Sequence, residues 1–146
     1  MKFHKQLFRH NPPETYGDCQ RTVYACLLDM HPSEVPHFHE STDDALEFWD
    51  RAHAFLASKG LARISIIFDG SLSLEQILNT QHNTNPGYYY ILSGMSKNKT
   101  DHVVICKGRG IIWDPAIDNS GIIGPCSDGF WWVEYLVPKF MQAESL

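Results

Sequence analysis

The stretch Gly17-Asp18-Cys19-Gln20-Arg21-Thr22-Val23-Tyr24-Ala25-Cys26-Leu27-Leu28 decides how the rest of the chain is read. Gly17 and Asp18 make a turn that delivers a cysteine onto the start of an apolar run with helical spacing. The buried side of that run is Val23, Ala25, Cys26, Leu27 and Leu28. It ends near Asp29-Met30-His31-Pro32, because proline has no backbone N–H to donate and disfavours helix in the residue before it. A thiol at a helix N-terminus faces unpaired N–H groups and the positive end of the helix dipole. Both favour thiolate over thiol, as a cysteine nucleophile requires at neutral pH. The plainer reading of Cys19 is a buried cysteine that packs at the helix start. On this stretch alone the two are even.

Composition narrows the setting. A chain of 146 residues is read as one domain, 1–146, large enough to bury a core without disulfides. The net charge of -5, with no dense Lys/Arg run, argues against a nucleic-acid partner. No run of ~18 apolar residues is present that would span a bilayer, so no membrane partner is expected. Met1-Lys2-Phe3-His4-Lys5-Gln6 has a basic start with no apolar run after it, unlike a signal peptide. Cys19, Cys26, Cys106 and Cys126 include no close pair, which fits free thiols in a reducing compartment, by default the cytoplasm.

Upstream of the cysteine, residues 1–18 carry Pro12 and Pro13 and little periodicity, and read as an irregular lead-in containing Gln6. Downstream, the segment from His31 to His39 is a loop or single helical turn bounded by prolines. His37 and His39 are half of a conceivable metal site, but zinc needs three or four converging ligands. A solvent-facing loop is the better reading, and neither a metal nor a cofactor is expected. Ser41 or Thr42 caps the next helix, with Asp43 and Asp44 in its first turn. Its apolar face is Ala45, Leu46, Trp49, Ala52 and Leu56, flanked by Phe48 and Phe55. His53 reads as a surface or half-buried histidine rather than a ligand, and Gly60 as a left-handed terminator.

Strand signals then accumulate. They are Ile64 to Phe68, Tyr88 to Leu92 closed by Ser93-Gly94, His102 to Cys106, Ile111 to Pro115, and Phe130 to Val137 stopped by Pro138. A short helix over 73–79 is the one interruption. His102 to Cys106 is apolar on both faces and so central in a sheet. Helices first and strands after give an α+β fold, with N-terminal helices packed on an antiparallel β-sheet. Of Phe130, Trp131 and Trp132, some could line a cleft, although a strand with three aromatics is more often core.

Two residues change the weight of Cys19. His102 begins one strand, and Asp114 ends the strand that returns beside it across a turn at Gly108 and Arg109. The two come level if their positions pair directly. They share a face only if the turn has an odd number of residues or a bulge intervenes. Cys19, His102 and Asp114 would then supply a nucleophile, its base and the group that orients the base. The Cys19 backbone N–H and the Gln6 side-chain amide are the candidate donors to an oxyanion.

In chain order, Gly17-Asp18-Cys19, then Ser33-Glu34-Val35-Pro36-His37-Phe38, then Pro86-Gly87-Tyr88-Tyr89-Tyr90-Ile91-Leu92-Ser93-Gly94, then His102-Val103-Val104 and Trp113-Asp114-Pro115 form an ordered set. This set resembles a group of small papain-like proteins of bacteria and their phages. The resemblance runs from about Gln6 to Gly121. It implies a papain-like cysteine peptidase fold with Cys19, His102 and Asp114 as a catalytic triad and Gln6 as an auxiliary donor. Gln20 and Arg21 depart from the small or aromatic residues commoner after the cysteine, and predict a more polar mouth. The expected function is a cysteine-dependent hydrolase of an amide or peptide-like bond, through a thioester. An acyltransferase with the same triad and a non-catalytic module that binds a host or partner protein are the alternatives. A zinc site built from Cys19, His102 and Asp114 ranks lower, since a thiolate–imidazolium pair explains the same residues.

Overall fold

A computed structural model of the chain describes residues 1–40 and 44–141. The helices are α1 (Cys19–Leu27), α2 (Ala45–Ser58) and α3 (Leu74–Thr84), with a short 3-10 turn at Pro32–Glu34 between the first two. The strands are β1 (Leu61–Asp69), β2 (Tyr89–Met95), β3 (Asp101–Lys107), β4 (Gly110–Trp113) and β5 (Phe130–Pro138). They form one five-stranded sheet in the order β1-β5-β2-β3-β4, and every neighbouring pair is antiparallel. Because β5 is antiparallel to both of its neighbours, β1 and β2 run parallel. The α3 crossover between them leaves a gap that the last strand fills. Among the described residues no helix is long and apolar enough to cross a membrane.

The sheet is covered on both faces, which makes this α+β arrangement more layered than helices on one side. Val23, Tyr24 and Cys26 of α1 and Ala52, Phe55 and Leu56 of α2 pack with Ile91, Val103 and Ile105. Ile77 of α3 packs on the opposite face with Tyr90, Leu92, Val104, Cys106, Trp131 and Val133. β3 contributes alternate residues to each core, as a strand apolar on both faces must. It lies between β2 and β4.

Several expectations need correcting. The Ser41, Thr42 and Asp43 capping positions lie outside the described residues. Asp44 is the N-cap of α2, its carboxylate accepting from the backbone N–H of Leu46 and Glu47. Ala45 and Leu46 are exposed rather than part of the apolar face, since that face begins only at Phe48. α3 extends to Thr84, started by a reciprocal Ser73–Gln76 capping box that favours helix over the turn residues downstream. Gly60 has the left-handed φ of +74° that was expected of it. The 31–39 segment is only partly solvent-facing, because Val35 and Phe38 are buried in the first core.

β2 runs through Ser93-Gly94 to Met95 instead of stopping there. Gly94 is required by close approach. A Cβ on it would lie 2.7 Å from the Gly124 carbonyl oxygen and from Ile122 Cγ2, and 3.0 Å from the Trp131 ring. Gly94→Ala is therefore expected to destabilise the fold by about 2 kcal/mol. Gly110→Ala, whose Cβ meets nothing within 4 Å, is the control and changes stability little. Urea denaturation of the two variants makes the comparison.

Candidate active site

The turn before α1 is held by a buried acid. The Asp18 side chain does not cap its own helix. Its carboxylate accepts instead from the backbone N–H groups of Leu7 (3.1 Å) and Phe8 (3.0 Å) and from Arg21 Nε (2.9 Å). Arg21 then donates through Nη1 to the Val35 carbonyl at 3.1 Å. One ion pair thus ties the lead-in, the helix start and the 32–38 loop together. Gln20 and Arg21, from which a more polar mouth is expected, both line the cleft, but their side chains are buried. Arg21 faces inward because Asp18 is there to pair with it, and Gln20 faces the buried Glu134, 3.5 Å from its Oε2.

Glu134 sits alone among apolar neighbours on β5. It accepts from Tyr24 Oη (2.6 Å) and Arg63 Nε (2.6 Å), and the Arg63 guanidinium lies 3.8 Å from the centre of the Trp49 ring. This cluster joins α1, α2, β1 and β5 beneath the helix N-terminus. Burial, followed by the charge and hydrogen bond of Glu134, pushes the Tyr24 phenol far above its ordinary value. A lone carboxylate in an apolar strand is legible in the sequence as a group that needs a buried donor. Its partners are not, since they come from two distant elements, α1 and β1.

Cys19 is the first residue of α1 and is half-buried. His102, at the start of β3, is buried, and its Nε2 lies 2.7 Å from Asp114 Oδ1. Cys19 lines the same cleft as this imidazole and is near enough to favour its charged form. With Nε2 engaged by Asp114, Nδ1 is the nitrogen left for sulfur. The Asp114 carboxylate is itself anchored, accepting from the backbone N–H of Ala116 at Oδ1 (2.9 Å) and of Gly121 at Oδ2 (2.7 Å).

The strand register that brings this about differs from the expected one. Lys107 pairs with Gly110 across a two-residue turn of Gly108 and Arg109, an even loop that alone would turn Asp114 away. A bulge then shifts the ladder, so that Cys106 pairs with Ile111 but Ile105 pairs with Trp113. Ile112 is the extra residue. Asp114 stands just past the last paired residue rather than directly opposite His102, and reaches the imidazole through its side chain.

Gln6 is placed in the same neighbourhood. Its backbone N–H donates to the Pro115 carbonyl at 2.8 Å, which lays the lead-in alongside the end of β4. Its side-chain amide donates to the Phe8 carbonyl at 2.7 Å, so one of its two N–H bonds is already engaged. Gln6, Cys19 and His102 line one cleft of about 1360 Å³, whose other walls include Trp49, Arg63 and Trp132. Of the three consecutive aromatics that open β5, Trp131 is core, Trp132 lines the cleft and Phe130 is exposed.

The electrostatics follow from burial and partners. Burial disfavours the His102 imidazolium. The hydrogen bond to Asp114, with the nearness of Cys19 and the charges of both, outweighs it and raises the pKa to about 9. Burial pushes the Asp114 carboxyl up, but the bonds from His102, Ala116 and Gly121 prevail and hold it below the usual carboxylate value. Cys26, Cys106 and Cys126 are all pushed up, mainly by burial, the last to about 12. His37 is held low by burial, with Nε2 at 2.9 Å from the Tyr16 carbonyl and its ring stacked on Phe8. Among the described residues no three His, Cys, Asp or Glu side chains converge as a metal site would require.

These shifts set a pH window for stability. A histidine raised from 6.5 to about 9 contributes stability that is complete below about 6.5 and is lost as pH rises through about 9. A lowered Asp114 contributes above 3.8, and its contribution is lost as pH falls through its depressed value. The stability difference between wild type and His102→Ala is thus expected to be largest between about pH 4 and 6.5. It should decline by on the order of 2 kcal/mol by about pH 10, measured by urea denaturation across that range. Compared with family models, curated proteins and solved structures, the chain matches none.

Proposed function

We propose that this protein is a papain-like, cysteine-dependent hydrolase of an amide or peptide-like bond, working in the cytoplasm. The observation that carries this reading is a single imidazole bonded to an anchored carboxylate and sharing one open cleft with a thiol on the first residue of a helix. Four free cysteines suit a reducing compartment.

In this reading Cys19 Sγ attacks the carbonyl carbon of the substrate while His102 holds the thiol proton. The carbonyl oxygen takes up the negative charge. The Cys19 backbone N–H, unpaired within α1 because it opens the helix, is positioned to donate to it, together with the remaining amide N–H of Gln6. The tetrahedral adduct collapses when the C–N bond breaks, and His102 gives its proton to the departing amine. A thioester is left on Cys19. His102 then takes a proton from water, whose oxygen attacks the thioester carbon and releases the acid and the thiol. Asp114 fixes the imidazole tautomer with Nδ1 toward sulfur and stabilises the imidazolium. An acceptor amine in place of water would make the same intermediate serve acyl transfer.

Iodoacetamide labelling followed by peptide mapping tests the first step. At about pH 7, Cys19 is expected to be alkylated well before the other three thiols, whose ionisation is suppressed by burial. His102→Ala removes that preference. Equal labelling of all four thiols in wild type contradicts the reading. For turnover, a panel of peptidyl aminomethylcoumarins serves as the probe. Cys19→Ser abolishes cleavage, and Asp114→Asn lowers kcat by roughly 10²–10⁴-fold with little change in KM. Product that accumulates only with an added primary amine reassigns the protein as a transferase.

A further inference from the structure

The two edges of the sheet are built differently. β4 has four residues and is interrupted by a bulge, and short, bulged edges resist pairing with other chains. β1 has nine residues and follows β5 without a break from Leu61↔Pro138 to Asp69↔Phe130. It contains no proline, lysine or bulge. Among the described residues no backbone hydrogen bond leaves residues 61–68 on the side away from β5. Ile64, Ile66 and Ile67 are 49%, 37% and 51% exposed along this edge, so both faces of its rim are apolar. A long, straight, apolar edge with unpaired N–H and C=O groups is a template for another strand.

We propose that two copies of this chain pair antiparallel through β1, about a twofold axis at Ile66, and join their five-stranded sheets. The strand reads Leu61-Ala62-Arg63-Ile64-Ser65-Ile66-Ile67-Phe68-Asp69, and its side chains are self-complementary in that register. Arg63 falls opposite Asp69 of the second copy, Ile64 opposite Phe68, Ser65 opposite Ile67, and Ile66 opposite itself. Slipping the antiparallel pair by two residues sets Arg63 against Ile67 in one direction and against Ser71, past the end of the strand, in the other. A parallel pair in register sets Arg63 against Arg63 and Asp69 against Asp69. Arg63 donates through Nε to Glu134 and through Nη2 to the Ser65 hydroxyl, and a guanidinium with five N–H donors retains capacity for a second carboxylate. A twofold contact is isologous and closes at the dimer. One strand edge covers less than the ~800 Å² per partner typical of stable complexes, so the dimer is weak and dependent on concentration.

Sedimentation equilibrium of the full chain from about 1 µM to about 500 µM tests this. The expected mass rises from 16.7 kDa toward twice that value. Ile66→Lys brings two like charges face to face at the axis and raises the midpoint concentration at least about tenfold. Asp69→Asn, which retains an acceptor for the Ser71 N–H, raises it about threefold. Circular dichroism verifies that each variant folds, and Ile64→Lys on the same rim replaces Ile66→Lys if that variant does not. A single-chain mass at every concentration overturns the proposal and leaves the edge to an extended segment of another protein. A dimer indifferent to these substitutions overturns it as well, since association then uses another surface.

Discussion

A carboxylate removed from water must find its compensation in the protein, and Asp18 finds it in two backbone N–H groups and one guanidinium. Much of the site hangs on this. The N–H groups belong to Leu7 and Phe8, so the irregular lead-in is fixed against the helix start and becomes a wall of the cleft. The guanidinium belongs to Arg21, whose second bond to the Val35 carbonyl fixes the loop that follows the helix. Cys19 and Gln20 are the two residues between the acid and its arginine. The position of Cys19 is therefore set by charge as well as by helix packing. Removing either partner would leave the other buried and uncompensated, which costs more than the pair contributes.

The same logic recurs beneath the helix. Glu134 is compensated by Arg63 and Tyr24, and Arg63 is stacked on Trp49. Two buried acids thus hold α1, Asp18 through the loops and Glu134 through the sheet. Between them, the His102–Asp114 contact is a third polar arrangement of the same kind, with a difference. Asp114 is held by two backbone N–H groups as well as by the imidazole, so it stays in place whatever the protonation state of the histidine. A preorganised carboxylate of this sort stabilises a charged imidazole without moving toward it.

The fold gives this site its rigidity through a sheet buried on both faces. β3 carries His102 at its beginning, and its alternate residues are locked into separate cores. The histidine consequently stands on one of the least deformable strands. The bulge in β4 is a local irregularity with a distant consequence, since the extra residue at Ile112 determines which way Asp114 turns. At the other edge, β1 has no irregularity at all. The two edges of one sheet thus meet different demands, one aiming a side chain and the other presenting an unbroken ladder.

Local chemistry made much of this protein legible from its residues alone. The helix after Gly17-Asp18, the strand apolar on both faces, the left-handed turn at Gly60 and the return of Asp114 to His102 all follow from periodicity and turn residues. These are short-range patterns, and the chain states them directly. What only the tertiary structure decided depends on contacts between distant segments. β5 enters the gap between β1 and β2, and α3 covers the second face of the sheet. A strand was expected to end at Ser93-Gly94 because glycine favours turns. It continues because Gly94 is where the Gly124 backbone and Trp131 approach too closely for any side chain. Gln20 and Arg21 looked like solvent-facing residues because polar side chains usually are. They are buried because Glu134 and Asp18 wait for them, and a compensating charge more than a hundred residues away, in the case of Glu134, leaves no mark on the local sequence.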